Sequence, residues 1–307
     1  MRLLILSDTR LPTLSSGGHG LGRVAWQLAD GLRARGHNVH LGASPRSIAP
    51  DGVEMMTHLS ERDRAEELAR LLTSGAAIWH AVVDLSHNHD LSRILPGAPV
   101  VNYMMDLECA FPPPNALVGN EWIGAKYPGS RIAPLGVDVK AIPFNATGGD
   151  RLLFAAKLCF EKGTDLAIDA AKLAGLELDI YGTPYGASIP QAKPEIADVA
   201  EFYRVLGDAR AFLAPYRLDS GSRVVLESAA AGTPVVCLDW GGTHTHVEDG
   251  VSGYVCSTVA EMAEAIGVID QIDRRGAREW VRENHSIPVM VGAVETAVKM
   301  ILDGECW

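Results

Sequence analysis

Short apolar runs alternate with amphipathic stretches along most of the chain. Residues 2–7 (RLLILS) form the first run, which is typical of a buried strand. After a glycine-rich loop, residues 20–36 (GLGRVAWQLADGLRARG) place apolar side chains at steps of three and four residues, which is the spacing of one helix face. Gly36 ends this predicted helix, and residues 38–44 (NVHLGAS) resume a strand pattern. The pattern therefore predicts a strand–helix–strand unit of the kind that builds parallel sheets.

The same alternation continues through the first half of the chain, stops, and begins again. The later elements of the first half are a charged surface helix and two strands, at residues 61–72, 77–83 and 99–105. Residues 141–150 (AIPFNATGGD) are rich in turn formers, which predicts a linker. Beyond it come a strand, a helix and a strand at residues 151–157, 163–175 and 176–182. We therefore expect two doubly wound α/β domains, residues 1–143 and 144–286, with a final helix at about 287–307 packing back on the first domain.

One later stretch, residues 219–236 (DSGSRVVLESAAAGTPVV), predicts a helix start that suits an anion. Residues 223–231 are mostly strong helix formers. Gly232 is suited to the position after a helix, and Pro234 prevents the helix from continuing. The Ser-Gly-Ser sequence before the helix is typical of a helix N-terminus. Because the first N–H groups of a helix point outwards at its positive dipole end, this segment is expected to bind a group such as phosphate.

Composition excludes several classes of protein. The chain has 307 residues, enough for two domains of about 150 residues each. Its formal net charge of −11 argues against general nucleic-acid or anionic-membrane binding, since both need a basic surface. Five cysteines are scattered without a C-x-x-C pair, which favours the reducing cytoplasm. The apolar core of MRLLILSD is too short for a signal peptide, and no apolar run approaches the ~20 residues of a membrane-spanning helix. We therefore expect a cytoplasmic protein. The sequence does not indicate its oligomeric state.

Two local patterns point away from other chemistries. In residues 16–24 (SGGHGLGRV) the glycines lie about ten residues after the strand, whereas a dinucleotide-binding fingerprint needs G-x-G-x-x-G directly after it. This spacing argues against an NAD-dependent dehydrogenase. Histidines at 87–90 (HNHD) and 244–246 (HTH) indicate metal by composition alone, and neither group supplies a full ligand set. His80, within a predicted strand, is expected to be a core histidine.

Four stretches of the second half carry a resemblance to a known family. FAAKLCFEKGTDLAIDAAKL, GDARAFLAPY, DSGSRVVLESAAAGTPVVCLDWGGTH and VEDGVSGYV resemble the C-terminal half of retaining glycosyltransferases of family 4, the glycosyl transferases group 1. The likeness covers about residues 150–265 in order and spacing, and the first half follows the family more loosely. It implies the GT-B fold, in which two Rossmann-like domains face each other across a cleft. It also implies a nucleotide-diphosphate-sugar donor (UDP-, GDP-, ADP- or dTDP-sugar), with no cofactor and no metal.

The resemblance assigns roles to residues of the second domain. Lys157 and Lys162 fall on the family's pair of basic residues, which neutralise the diphosphate leaving group. Asp219 and Glu227 fall on its acid-x7-acid motif, so that Asp219 would meet hydroxyls of the transferred sugar and Glu227 those of the ribose. The residues between them would offer N–H groups to the phosphates. They are Ser220, Gly221, Ser222, Arg223 and Val224.

The resemblance assigns further residues to the donor and the acceptor. Gly18, His19 and Gly20 fall at the family's glycine pair, where the backbone approaches the donor phosphate and the acceptor. Gly182 lies in the loop after a strand that borders the donor. Asp106 would hold a donor hydroxyl or take the acceptor's proton, and a helix cap or a core-edge aspartate is an equal interpretation.

Several positions depart from the family's pattern. Lys157 stands where an arginine is usual, and a lysine makes no bidentate contact with phosphate. Met105 occupies the place of a common histidine, and Thr245 that of a glutamate. His19 replaces a glycine, and GSR at 221–223 replaces a Phe-Gly-aliphatic sequence. These departures affect the contacts expected with the donor sugar.

The resulting prediction is a metal-independent glycosyltransferase that moves a sugar from a nucleotide-diphosphate-sugar to an acceptor hydroxyl with retention of configuration. The acceptor classes are a small molecule, a glycan or a lipid carrier. A nucleotide-sugar-binding protein without transferase activity and a GT-B epimerase are the alternatives. Neither the base, the sugar nor the acceptor follows from the sequence.

Overall fold

A computed structural model describes residues 1–7, 11–15, 20–56, 79–86, 98–105, 113–185 and 189–307. The helix predicted at 61–72 lies outside the described residues. The chain divides into two compact units, one formed by residues 1–136 with 287–307 and the other by residues 137–286. Each unit has its own parallel sheet and is described separately.

The first unit contains a seven-stranded sheet in the order β3-β2-β1-β4-β5-β6-β7, with every neighbouring pair parallel. The strands are β1 Arg2–Leu6, β2 Asn38–Gly42, β3 Glu54–Met56, β4 Ala81–Asp84, β5 Val100–Met104, β6 Ala116–Val118 and β7 Arg131–Ile132. The apolar run of β1 is buried from Leu3 to Leu6, as expected for an inner strand of a sheet covered on both faces. Helix α1, Gly20–Ala34, follows β1, and the short helix α2, Glu121–Gly124, follows β6.

One expectation for this unit is wrong. His80 lies just before β4, and its side chain is exposed rather than in the core. Pairing of β4 with β1 begins at Ala81, opposite Leu3. The Nδ1 atom of His80 therefore accepts a hydrogen bond from the backbone N–H of Arg2 at 2.8 Å, at the edge of the ladder.

The second unit contains a five-stranded parallel sheet in the order β12-β11-β10-β8-β9. Its strands are β8 Leu152–Ala155, β9 Leu178–Tyr181, β10 Ala211–Ala214, β11 Val235–Leu238 and β12 Gly253–Cys256. Its helices are α3 Thr164–Ala174, α4 Val199–Asp208, α5 Arg223–Ala231, α6 Val259–Gly267 and α7 Arg274–Asn284. Short 3-10 helices span Phe160–Lys162, Gly242–His246 and Ile269–Gln271. The bounds of α5 and its left-handed cap Gly232 confirm the prediction for 223–232.

The predicted linker at 141–150 is held against the second unit by two arginines of α7. Arg274 donates from Nε to the carbonyl of Asn145 at 3.0 Å and from Nη2 to that of Gly207 at 2.8 Å. Arg278 donates to the carbonyls of Val139, Ile142 and Ala230. These bonds satisfy carbonyl groups at the C-terminal ends of α4 and α5, where helices leave acceptors without partners.

Helix α8, Ile287–Leu302, returns the chain to the first unit and packs on α1. Its nearly buried Glu295 accepts hydrogen bonds from Arg35 at 2.6 Å and from Lys299 at 2.7 Å, and it lies 3.3 Å from His37. The bond from Lys299, followed by that from Arg35, lowers the pKa of Glu295 from 4.5 to about 2. None of the helices in the described part of the chain is both long and apolar enough to span a bilayer.

The low pKa of Glu295 predicts a defined pH dependence of stability. Since its pKa is lower in the folded chain, the stabilisation is present above pH 4.5 and is lost as the pH falls towards 2. We expect wild type to exceed Glu295→Gln by about 1–2 kcal/mol in unfolding free energy near neutral pH. Urea unfolding at several pH values should show this difference shrinking below pH 4.5. The control is Glu121→Gln, which removes an exposed carboxylate on another element. If the difference in unfolding free energy between wild type and Glu295→Gln stayed constant with pH, it would contradict the low pKa of Glu295.

Candidate functional site

The sequence-predicted residues of the second unit converge where three neighbouring strands end. Lys157 and Lys162 follow β8, Asp219 follows β10, and the 3-10 helix Gly242–His246 follows β11. These strands are adjacent in the order β11-β10-β8. The carboxyl edge of a parallel sheet is where ligands bind in folds of this type.

The two lysines occupy different surroundings. Lys157 is exposed, and its Nζ lies 3.6 Å from the ring centre of Tyr185. Lys162 ends the 3-10 helix and is 23 % exposed, and its Nζ lies 4.4 Å from the ring centre of the buried Tyr216. Lys162 also forms an ion pair with Asp219. Lys162 is therefore held by its neighbours, whereas Lys157 has an ammonium group that solvent reaches.

Two glycines allow the close backbone approaches on which this arrangement depends. Gly163, directly after Lys162, has φ 63°, and a Cβ there would lie 2.1 Å from the carbonyl oxygen of Pro215. Gly182, at the end of β9, has φ 153°, and a Cβ there would lie 1.9 Å from the carbonyl oxygen of Ala156. Both positions therefore require glycine. Gly182 keeps the end of β9 against the backbone that carries Lys157.

Asp219 is the most connected side chain at this edge. One carboxylate oxygen, Oδ1, accepts from the backbone N–H of Gly221 at 2.8 Å and from the hydroxyl of Thr243 at 3.1 Å. The other oxygen, Oδ2, accepts from Lys162 Nζ. The Asp219 backbone is also fixed, since its carbonyl accepts from the N–H of Gly242 at 2.7 Å.

Helix α5 begins beside Asp219. Ser222 is its extended N-cap residue, and the Ser222 side chain makes no capping hydrogen bond. Arg223 and Val224 are the first two helical residues, so their N–H groups belong to the turn that has no intrahelical acceptors. Gly221 and Ser220 complete the turn between Asp219 and the helix. Amides at a helix N-terminus together with a lysine ammonium group form an arrangement that binds anions.

Glu227 is buried in the second turn of α5, with 1 % of its surface exposed. Its Oε1 accepts from Nε of Arg223 at 3.1 Å, and Arg223 is itself only 8 % exposed. Arg223 and Glu227 are four residues apart, and this spacing makes them neighbours on one helix face. The sequence therefore carried a signal for this pair, but the prediction did not include it. The pair neutralises an arginine charge at the positive end of the helix dipole.

His246 contacts the N-cap residue of α5. Its Nδ1 lies 3.2 Å from the carbonyl oxygen of Ser222, and its ring centre lies 5.3 Å from that of His285. Burial, and then the neighbouring His285, lowers the pKa of His246 to about 4. The imidazole is therefore neutral near pH 7 and acts as a packing and hydrogen-bonding group. Among the described residues, no cluster of three or more histidine, cysteine or acidic side chains could hold a metal ion.

Three predicted residues lie outside the described part of the chain, namely Gly18, His19 and Asp106. Gly20 is the first residue of α1 in the first unit. Thr243 and Tyr216 contact Asp219 and Lys162, respectively, and neither was among the predicted site residues. No sequence motif marks either residue, because their partners are distant along the chain.

Comparisons with known proteins find relatives of this part of the chain. Residues 149–269 match the family described as Glycosyl transferases group 1. A D-inositol 3-phosphate glycosyltransferase of Frankia alni is 31% identical over 134 residues, which cover 34% of this chain and 32% of that protein. A glycogen synthase of Mycobacterium tuberculosis is 32% identical over 154 residues, covering 43% and 37%. The matches thus span about a third of the length of these curated relatives.

Solved structures resemble the whole chain. AviGT4, a glycosyltransferase involved in avilamycin A biosynthesis, superposes with a TM-score of 0.74 at 20% identity, covering 100% of this chain and 99% of its own. HepE of Anabaena, solved in complex with UDP, gives 0.70 at 14% identity, covering 97% and 100%. These likenesses confirm the predicted fold class, an α/β chain of GT-B type with two Rossmann-like parallel sheets.

Proposed function

We propose that the protein transfers a sugar from a nucleotide-diphosphate-sugar to an acceptor hydroxyl, since residues 149–269 match the family described as Glycosyl transferases group 1. The transfer proceeds with retention of configuration and without a metal ion or cofactor. The observation that carries the proposal is the placement of Lys162 between Asp219 and Tyr216, close to the first turn of α5.

The chemistry at this edge follows from where charge develops. The bond between the sugar's anomeric carbon and the diphosphate oxygen breaks, and its electron pair stays on the diphosphate. Lys162, Lys157 and N–H groups at the start of α5 stabilise that growing charge, as preorganised donors do in other transfer reactions. Glu227 contributes to the donor site by holding Arg223 and the first turns of α5 in place. Its contact with the ribose remains part of the proposal.

The acceptor side of the proposal rests on the first unit. Gly18, His19 and Gly20 lie before or at the start of α1, and Asp106 follows β5 by two residues. We assign these positions to the donor phosphate and the acceptor hydroxyl, which is a hydroxyl of a small molecule, a glycan or a lipid carrier.

Two of the four free cysteines described, Cys237 and Cys256, are buried in strands, which supports a place in the cytoplasm.

A nucleotide-sugar-binding protein without transferase activity is the second candidate. Thr245 stands where the family has a glutamate, and its hydroxyl donates to the carbonyl oxygen of Gly242 at 2.6 Å. This bond directs Thr245 to its own backbone, so the donor sugar has one fewer acidic partner than in the family pattern.

Ligand screening tests the proposal directly. We expect one of UDP, GDP, ADP and dTDP to raise the melting temperature by several degrees, because binding to the folded state alone adds about 2.7 kcal/mol at a concentration of 100 Kd. The matching nucleotide-sugars should then be consumed with an acceptor present, and more slowly by water without one. HepE has also been solved with UDP-glucose, which makes UDP-glucose the first donor to test.

The outcomes separate the candidates. Binding without transfer and without donor hydrolysis would favour the binding protein. Release of free sugar isomers without an acceptor would favour an epimerase. No thermal shift with any of the four diphosphates at millimolar concentration would contradict both the transferase and the binding protein.

A further inference from the structure

The carboxylate of Asp219 joins the loops that follow three adjacent strands. Asp219 itself follows β10, its partner Lys162 follows β8, and its partner Thr243 follows β11. A third partner, the N–H of Gly221, belongs to the turn that begins α5. These contacts connect residues 57 and 24 positions apart in sequence. One side chain therefore sets the distance between a cation and a helix N-terminus.

The three bonds leave little of this carboxylate for another ligand. A carboxylate offers about four acceptor positions, and three of them are taken by Gly221, Thr243 and Lys162. The Asp219 side chain is only 10 % exposed. An acidic side chain that binds sugar hydroxyls needs acceptor positions open to the ligand. In Asp219, donors of the protein itself already occupy most of these positions.

The surroundings of Lys162 indicate what the carboxylate does there. An ammonium group has three donors, and the ion pair with Asp219 uses one of them. The face of the buried Tyr216 ring lies against the same Nζ atom. Fixing a long lysine side chain costs about 2 kcal/mol of rotamer entropy. Since Lys162 is already fixed by Asp219 and Tyr216, this cost is met before the ligand binds.

We propose that Asp219 is a positioning residue: it orients the Lys162 ammonium group and the Gly221 turn towards one diphosphate group, and does not bind the transferred sugar. The inference rests on the proposed function and refines it, since it assigns Asp219 to the leaving group rather than to the sugar. Thr243 acts with Asp219 by fixing its Oδ1 atom.

The first experiment compares ligands that differ by one phosphate. Binding of the diphosphate selected from UDP, GDP, ADP and dTDP, and of its monophosphate, is measured for wild type, Asp219→Asn and Thr243→Val. Asp219→Asn should lower diphosphate affinity by about 10-fold, given the strength of charge-assisted contacts, and should change monophosphate affinity by less than about twofold. Thr243→Val should act in the same direction and more weakly. The exposed Asp169 on α3 gives the control Asp169→Asn, which should change neither affinity.

The second experiment asks whether Asp219 selects the sugar. The glucosyl and galactosyl derivatives of the same diphosphate are compared as donors, by the ratio of their kcat/KM values. A positioning role predicts that Asp219→Asn lowers both values by the same factor and leaves their ratio unchanged, because a leaving-group contact is common to both donors. The double variant Asp219→Asn/Thr243→Val should lose less than the product of the single losses, since the two residues act through one network. A change in the donor ratio of more than about 5-fold, with unaltered diphosphate affinity, would overturn the proposal.

A ligand-free experiment separates this inference from the proposed function. Acylation of lysine amines is followed by peptide mass spectrometry in wild type and Asp219→Asn. The Lys162 amine should react slowly in wild type, because it is clamped by Asp219, and several-fold faster in the variant. Lys157, exposed over Tyr185, serves as the internal control and should react equally in both. Equal Lys162 rates in the two proteins would overturn the positioning role. Absence of binding by any nucleoside diphosphate, with the expected labelling, would overturn only the proposed function.

Discussion

Lys162→Ala is expected to lower the turnover number for sugar transfer by more than about 10-fold, because in the proposed mechanism Lys162 is a preorganised cation beside the developing diphosphate charge. The loss should be larger in kcat than in donor KM, since the charge is greatest in the transition state. Initial rates at saturating acceptor, over a range of donor concentrations, measure both. The effect concerns chemistry rather than folding, because Lys162 is partly exposed and its removal frees Asp219 to hydrate.

The control for this variant is another lysine of the same unit. Lys172 lies exposed in the last turn of α3, away from the edge that carries Lys162. We expect Lys172→Ala to retain the wild-type rate within about twofold. A Lys162→Ala enzyme with wild-type kcat would exclude the leaving-group role of this lysine.

Glu227→Ala is expected to destabilise the second unit by about 3–5 kcal/mol, because it removes the carboxylate that accepts a hydrogen bond from the buried Arg223. Nucleotide binding should weaken with it, since the same change disturbs the first turns of α5. Urea unfolding followed by circular dichroism measures the loss, and amide exchange in α5 locates it. A loss below about 1 kcal/mol would contradict the structural role of this pair.

Two further variants separate the loss of the ion pair from the loss of volume. Glu264→Ala removes an exposed glutamate from α6 and should change stability by less than about 0.5 kcal/mol. The double variant Arg223→Met/Glu227→Leu replaces both charges by apolar groups, and it should be more stable than Glu227→Ala. If the double variant is the less stable of the two, loss of the Arg223–Glu227 ion pair does not explain the effect of Glu227→Ala.

Much of the local structure follows from nearest neighbours in the sequence. The run of helix formers between Ser222 and Gly232 predicts α5 with its bounds, and the short apolar runs predict the strands that follow turn residues. Cys237 and Cys256 lie in such runs, and both are buried. The pattern of apolar and polar residues does not predict interactions between one element and another. His80 was wrongly assigned to the core because strand pairing, rather than the apolar run, decides where β4 begins.

The sequence by itself determined the alternation of strands and helices and the bounds of the helix that begins at Arg223. The anion-binding role of that helix start, with its two basic and two acidic positions, stays a prediction. Only the tertiary structure decided that Asp219 meets Lys162 and Thr243, because these residues lie on loops after different strands and become neighbours through the order β11-β10-β8. Only burial decided that Glu227 is paired with Arg223 in the interior of α5. Spacing along a chain encodes contacts within one helix, whereas contacts between loops depend on how the sheet arranges its strands.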